Sequence, residues 1–298
     1  MQTVIYSCPF VPAEWIAAHG LQPRRIMPRS IHPSPPVPPA FGVCPYAKAF
    51  IREVLSYQEA AGIIVTTVCD QMRRSWDYIH RHSDTPCFLL HIPTTWQRAA
   101  AADYYLRELE RLGRFLVACG GQPPTKEKLA EVMLQYEEKR TAGKPSQALS
   151  SKIPLALVGG PMTQQHLDIF DRVDQAGGQI VLDATETGQR TLPAPFDRDP
   201  LQHNPLAELA KAYFGSIPDV FRRPNGGFYV WLKRELARGN VRGLILHRYV
   251  WCDIWHGERN RLKQETGLPV LSLEYDETDS HSQPRIAGRI QAFLEMLA

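Results

Sequence analysis

GIIVTTVCDQMRR, residues 62–74, decides the fold. Ile63, Ile64, Val65, Thr66, Thr67 and Val68 are all β-branched. Such side chains pack well on a pleated surface and poorly along a helix. A run without polar alternation suits a parallel strand buried on both faces. It ends at Cys69-Asp70, and DQMRRSWDYIHRH then has the character of a helix. A thiol and a carboxylate thus stand where a strand's carboxyl end meets a helix's amino end. In open α/β sheets that edge binds ligands, and a helix amino end favours anions, a thiolate included. For one cysteine alone, burial in the core is the ordinary alternative.

Working outward, the same arrangement recurs. Thr3–Ser7 reads as a strand ending at Cys8, and Gly42-Val43-Cys44-Pro45-Tyr46 opens a helix with Pro45 near its first position. Gly243–Val250 reads as a strand followed by Trp251-Cys252-Asp253. Further strands are expected at Cys87–Ile92, Leu155–Val158, Gln179–Leu182 and Val270–Glu274. Helices are expected over Ala13–His19, Trp96–Cys119, Thr125–Thr141, Met162–Ala176, Leu206–Phe214, Gly227–Arg238, Trp255–Thr266 and Gln283–Leu297. Pro28–Pro39 is a proline-rich loop, and Asp183–Pro205 reads as a long connection. This alternation predicts two parallel-sheet α/β domains of Rossmann or flavodoxin-like type with additional helices. The polar stretch Gly143–Lys152 is the expected linker, giving domains at 1–148 and 149–298.

Composition narrows the function. The chain has 298 residues and a formal charge of +3, with its charges mixed along the sequence. That balance gives no argument for nucleic-acid binding. No apolar stretch approaches the roughly 20 residues of a membrane span. The amino terminus lacks a basic start followed by an apolar run, so a cytoplasmic, reducing location is expected. In that setting the six cysteines suggest metal or redox chemistry rather than a disulfide framework.

If the sheets are parallel, Cys8, Cys44, Cys69 and Cys252 lie on one edge and can converge in the cleft between the domains. Three or four converging thiolates suit an iron–sulfur cluster or a zinc ion. No close CxxC pair exists, so spacing leaves the metal open. Cys87 begins a strand and Cys119 lies on an apolar helical face, so both are expected in the core.

The chain resembles the 2-hydroxyacyl-CoA dehydratase and benzoyl-CoA reductase subunits (the 2-hydroxyglutaryl-CoA dehydratase D-component family). The resemblance is carried by Cys8 with Pro12-Ala13-Glu14 and Gly20-Leu21-Gln22-Pro23; by Cys44-Pro45-Tyr46; by Val68-Cys69-Asp70 with Arg73-Arg74; by Trp251-Cys252-Asp253; and by Leu273-Glu274-Tyr275-Asp276 with Arg285–Leu297. It implies an oxygen-sensitive [4Fe-4S] cluster held by Cys44, Cys69 and Cys252, with one iron open and Cys8 as fourth ligand or near neighbour. It implies removal of water from an (R)-2-hydroxyacyl-CoA through a ketyl radical, the electron coming from a separate ATP-dependent activator. It also implies a homodimer or a heterodimer with a related subunit. The chain is shorter than typical members, around the proline-rich loop and between the helices of the first half.

Other residues have two readings each. His247 and Arg248 lie on the strand leading to Cys252 and are candidates to face the open iron or a substrate carbonyl; a bonded polar pair at the domain interface is the alternative. Glu14 and Asp70 are candidate acid–base groups, against helix capping or ion pairing. Arg73-Arg74 suit an activator surface or CoA phosphates, against a solvated helix face. Gly159-Gly160 suits a phosphate less well than a plain turn. The rival functions are an ATP-coupled low-potential reductase subunit acting on an aryl-CoA or small molecule, and a non-catalytic cluster protein that transfers electrons or regulates. A structural zinc protein fits the thiols without the family likeness.

Overall fold

The apolar runs form eight strands in the computed structural model of the protein, which describes residues 1–31, 42–57, 59–142, 151–277 and 282–298. In the first half β1 (Thr3–Tyr6), α1 (Ala13–Ala18), β2 (Gln22–Arg25), α2 (Pro45–Leu55), β3 (Ala60–Thr66), α3 (Asp70–His82) and β4 (Cys87–Leu90) alternate. Helices α4 (Ala99–Ala118) and α5 (Lys126–Ala142) follow. The second half runs β5 (Ile153–Gly159), α6 (Asp168–Gln175), β6 (Gly178–Ala184), α7 (Arg198–His203), α8 (Pro205–Ala210), α9 (Gly226–Arg238), β7 (Gly243–Tyr249), α10 (Asp253–Thr266), β8 (Val270–Tyr275) and α11 (Ser282–Leu297). Most of the expected linker, 143–150, and most of the proline-rich loop, 32–41, lie outside the described residues. No helix among the described residues is long and apolar enough to cross a membrane.

Each half builds one four-stranded sheet in which every pairing is parallel. The orders are β2-β1-β3-β4 and β6-β5-β7-β8, so the second sheet repeats the path of the first. The expected two α/β domains are therefore present. In both sheets the chain reverses its direction of winding between the two central strands. That switch point opens a crevice beyond the strands' carboxyl ends. β1 and β3 flank it in one sheet, and β5 and β7 in the other.

Central strands are buried as their composition predicts: every residue of β7 is buried, and Ile63, Ile64 and Val65 of β3 are almost fully enclosed. The β2 strand (QPRR) is a difference from expectation. It pairs with β1 alone, and this edge position accommodates Pro23 and the charged residues.

The segment expected as a loop, Asp183–Pro205, contains a 3-10 turn (Gln189–Thr191) and α7. With α8 and the turn after it, α7 packs on the first half: Leu201, Leu209, Tyr213 and Phe214 join Tyr105, Leu109, Leu112 and Leu116 of α4 in one cluster. Full burial of each such leucine contributes about 1.5–3 kcal/mol relative to exposure. The helix expected from Met162 begins only at Asp168. Its amino-terminal residues instead bond across to the first half, the backbone N–H groups of Gln164 and Gln165 donating to the carbonyls of Pro28 (2.8 Å) and Arg29 (3.0 Å).

Candidate functional site

Residues just past the central strands, together with the start of α2, line one cavity of about 400 Å³. Ser7 and Cys8 follow β1, Thr67 to Cys69 follow β3, Pro161 follows β5, and Trp251 and Cys252 follow β7. Both sheets thus direct their switch points at the same space. The four thiols expected to converge all reach it, and Cys87 and Cys119 do not.

Three of these cysteines occupy one kind of position. Cys44, Cys69 and Cys252 are the residues immediately before α2, α3 and α10, each at the helix amino end. None makes a full capping hydrogen bond. Even so, the backbone amides of Ala47, Met72 and Trp255, each three residues on, favour the thiolate of their own cysteine. Helix starts supply unpaired N–H groups and partial positive charge. Burial outweighs them. It pushes Cys44 and Cys69 upward and Cys252 up to about 12. The three thiols also act on one another: a charge on Cys44 is felt at Cys69 and Cys252, and one on Cys252 at Cys69.

Two local features hold this arrangement. The backbone N–H of Cys44 donates a 2.8 Å hydrogen bond to Gln71 Oε1, fixing the start of α2 to the first turn of α3. Trp251 adopts φ +67°, a left-handed conformation uncommon for a bulky residue, as the chain turns from β7 into α10. The residue is 61% exposed at the rim of the cavity.

Cys8 stands apart from the other three. Burial pushes it up to about 12, and the charges that act on it are those of Glu186 and Arg25. Glu186 follows β6 and lines the cavity half-buried. Burial and the neighbouring Asp219 push its carboxyl up to about 7, against the pull of Arg190 and Arg25. Its backbone is pinned: its N–H donates to the Gly160 carbonyl (3.2 Å), and its carbonyl accepts from Arg25 Nη2 (2.6 Å). Arg25 Nε also donates to the Ser7 carbonyl (2.8 Å), so this one guanidinium joins the two halves behind the cavity. Glu186 lies in a stretch that reads as a connecting loop, and no motif marks it. The rule that found the cysteines, inspection of the residues after each strand, finds it once β6 is extended to Ala184.

Three residues expected to be catalytic lie elsewhere. Glu14 is fully buried on α1, where it ion-pairs with Arg140 and accepts a 2.5 Å hydrogen bond from Tyr213 Oη. Its partners are structural, and it does not line the cavity. His247 is fully buried within β7 among His166, Tyr249 and Tyr275, and neither ring nitrogen has a hydrogen-bond partner among the described residues. Lying inside the strand rather than past its end, it projects onto a face of the sheet beside Tyr249 and Tyr275. Arg248 pairs with Glu274 at 2.6 Å, also off the cavity wall, although its charge is felt at Cys252. Asp70 and Arg73 do reach the cavity, where they form an exposed 3.5 Å pair, whereas Arg74 donates to the Gly42 carbonyl (3.1 Å). Gly159 is a packing glycine. A Cβ there would stand 2.2 Å from the His247 carbonyl oxygen.

Among the described residues, no three His, Cys, Asp or Glu side chains are arranged around a single metal-ion position. No curated protein matches the chain. Among solved structures, the SBP FpvC of P. aeruginosa in complex with Ni2+ is 9% identical over 100% of this chain and 96% of that one, with a TM-score of 0.27. The periplasmic metal binding protein of candidatus Liberibacter asiaticus is 12% identical over 99% and 97%, with a TM-score of 0.27. The metal-dependent lipoprotein YcdH of Bacillus subtilis is 14% identical over 100% of both chains, with a TM-score of 0.26. Likeness at this level carries no argument for function. The family model for the 2-hydroxyglutaryl-CoA dehydratase D-component matches residues 8–156 and 142–297. These matches span nearly the whole chain and take in Cys8, Cys44, Cys69 and Cys252, and the protein belongs to the 2-hydroxyglutaryl-CoA dehydratase D-component family.

Proposed function

We propose that the chain is a [4Fe-4S] protein that acts as a radical (R)-2-hydroxyacyl-CoA dehydratase, or as one subunit of such an enzyme, reduced by a separate ATP-dependent activator. The observation that carries this reading is the meeting of Cys44, Cys69 and Cys252, each at a helix amino end, around one cavity of a family member. The donor set fits: soft thiolates are what iron–sulfur clusters take. Ligands that serve separate irons need not crowd round one ion position, which agrees with the spread of the three thiols. When bound, such a cluster supplies a reducible centre and a Lewis-acidic iron for a substrate oxygen.

The chain's own residues do the rest. Cys44, Cys69 and Cys252 give up their protons to hold the iron, helped by the amides of Ala47, Met72 and Trp255. Phe10, Phe221 and Trp255 wall the cavity and keep water from a reactive intermediate. Arg73, at the mouth, offers a cationic donor to an anionic acyl carrier.

The reading is tested on protein purified without oxygen. It should be brown and carry about four irons and four sulfides per chain. Cys44→Ser, Cys69→Ser and Cys252→Ser should each lose or destabilise the cluster, while Cys87→Ser and Cys119→Ser keep it. Colourless protein with stoichiometric zinc, or full iron retention in Cys69→Ser, would overturn the assignment. Release of water from a 2-hydroxyacyl-CoA in the presence of activator and ATP then separates a dehydratase from a reductase subunit.

A further inference from the structure

A second cavity, of about 260 Å³, opens beside the amino end of α9. Its lining includes Trp96, Asp219, Arg222, Gly227, Trp231 and Arg234. Asp219 also lines the larger cavity, as do Phe221 and Arg223, so the segment 219–225 contributes to both walls. We propose that this second cavity binds a phosphate oxyanion, free or carried on a small organic molecule, between the Arg222 guanidinium and the backbone amides of Gly226 and Gly227.

Arg222 is the first argument. It is 4% exposed, and among the described residues no carboxylate pairs with it. Asp219, the acid on the cavity wall, is engaged elsewhere: Oδ2 meets Arg190, and Oδ1 accepts from the N–H of Phe221 (3.0 Å). Arg222 Nη2 donates to the Phe214 carbonyl, while Nε has no partner among the described residues. The rings of Phe214, Phe10 and Trp96 surround the guanidinium, their centroids 4.9, 5.3 and 5.7 Å from its central carbon. Ring faces attract a cation but leave its N–H groups in want of acceptors. A buried cation without a counter-charge is costly, and an anion in the cavity removes that cost. Burial accordingly pushes Arg222 down to about 10.

The second argument is the helix start. Asn225 stands just before α9 and makes no side-chain capping bond. Its amide instead bonds Glu258 (2.7 Å) and Arg261, and the first turn of α9 holds no acid. Gly226 and Gly227 thus carry amides of the kind that every helix start leaves unpaired, with partial positive charge. Neither glycine has a side chain to screen them, and a Cβ on Gly226 would meet nothing within 4 Å. Helix amino ends and the guanidinium fork both match the several oxygens of phosphate. Arg234 adds a cation at the rim, and Trp96 and Trp231 offer flat walls to a ring carried by the phosphate.

The test uses full-length protein purified without oxygen, titrated in a calorimeter with inorganic phosphate and with AMP at constant ionic strength. Arg222→Met removes the buried cation. Gly226→Asp changes an exposed residue and sets a carboxylate at the helix start, so it tests the site even where Arg222→Met does not fold. Either change should weaken phosphate binding about tenfold or more. Arg73→Ala, at the mouth of the larger cavity, should leave it unchanged. AMP that binds more tightly than phosphate, with the same loss in the variants, assigns the site to a nucleotide; AMP that binds no more tightly assigns it to free phosphate. No binding of either probe, binding that survives Gly226→Asp, or loss in Arg73→Ala overturns the proposal.

Discussion

Tyr213 donates a 2.5 Å hydrogen bond to Glu14 across 199 residues of sequence, and Glu14 is fully buried at the junction it closes. Arg140 of α5 completes the pair from the other side. Removing the hydroxyl with Tyr213→Phe should cost about 1.5–3 kcal/mol, as for other hydrogen bonds to a charged group. Glu14→Ala should cost more, about 3–5 kcal/mol, because it strands Arg140. Urea unfolding measures both. Bound iron should be unchanged in Tyr213→Phe; selective loss of activity in Glu14→Gln at full stability would restore a catalytic role for Glu14.

The metal-free thiols should be poor nucleophiles. Burial holds Cys8 and Cys252 up to about 12, far above the usual thiol value of about 8.5. A folded-state pKa above the unfolded one means that the stability it confers is complete below about pH 8.5 and is lost as pH rises toward 12. Apo protein should therefore alkylate slowly at pH 7.5, and its urea midpoint should fall between pH 8 and 10. Alkylation as fast as free cysteine at pH 7.5 would contradict the burial argument.

His247 should mark the acid limb. Burial, aided by the neighbouring His166, holds its pKa well below the ordinary value of about 6.5. The folded state keeps it neutral, so its contribution is complete above about pH 6.5 and shrinks as pH falls below that. His166, Tyr249 and Tyr275 surround the ring, and among the described residues no carboxylate bonds to it. The drop in urea midpoint from pH 7.5 to 5.5 should be smaller in His247→Leu than in wild type. Equal drops would mean that other groups set the acid sensitivity.

The strands that hold the site were legible because burial on both faces demands unbroken apolar runs, as in Ile63–Val68. The cysteines that line the cavity followed from them, since a residue just past a buried strand stands at the sheet edge where the crevice opens. The edge strand β2 was not legible: Gln22-Pro23-Arg24-Arg25 needs only one partner and exposes its side chains, so no apolar run marks it. Glu186 escaped for a similar reason, standing in a polar segment whose helices are shaped by contact with α4 and α5. His247 misled in the opposite way. A polar residue on a strand reads as functional, whereas here the aromatic rings around it take it into the core.

The packing of α7 and α8 on α4 and α5 bears on how the chain is made. During synthesis the first sheet and its long helices emerge before residues 198–217 exist. Until then Leu109, Leu112 and Leu116 have no cover from Leu209, Tyr213 and Phe214. The early half thus leaves these apolar side chains open to solvent, the condition that favours association of incomplete chains. Its completion waits on a segment encoded beyond two strands of the second sheet, so the thiols supplied by the early half meet Cys252 only after that wait ends.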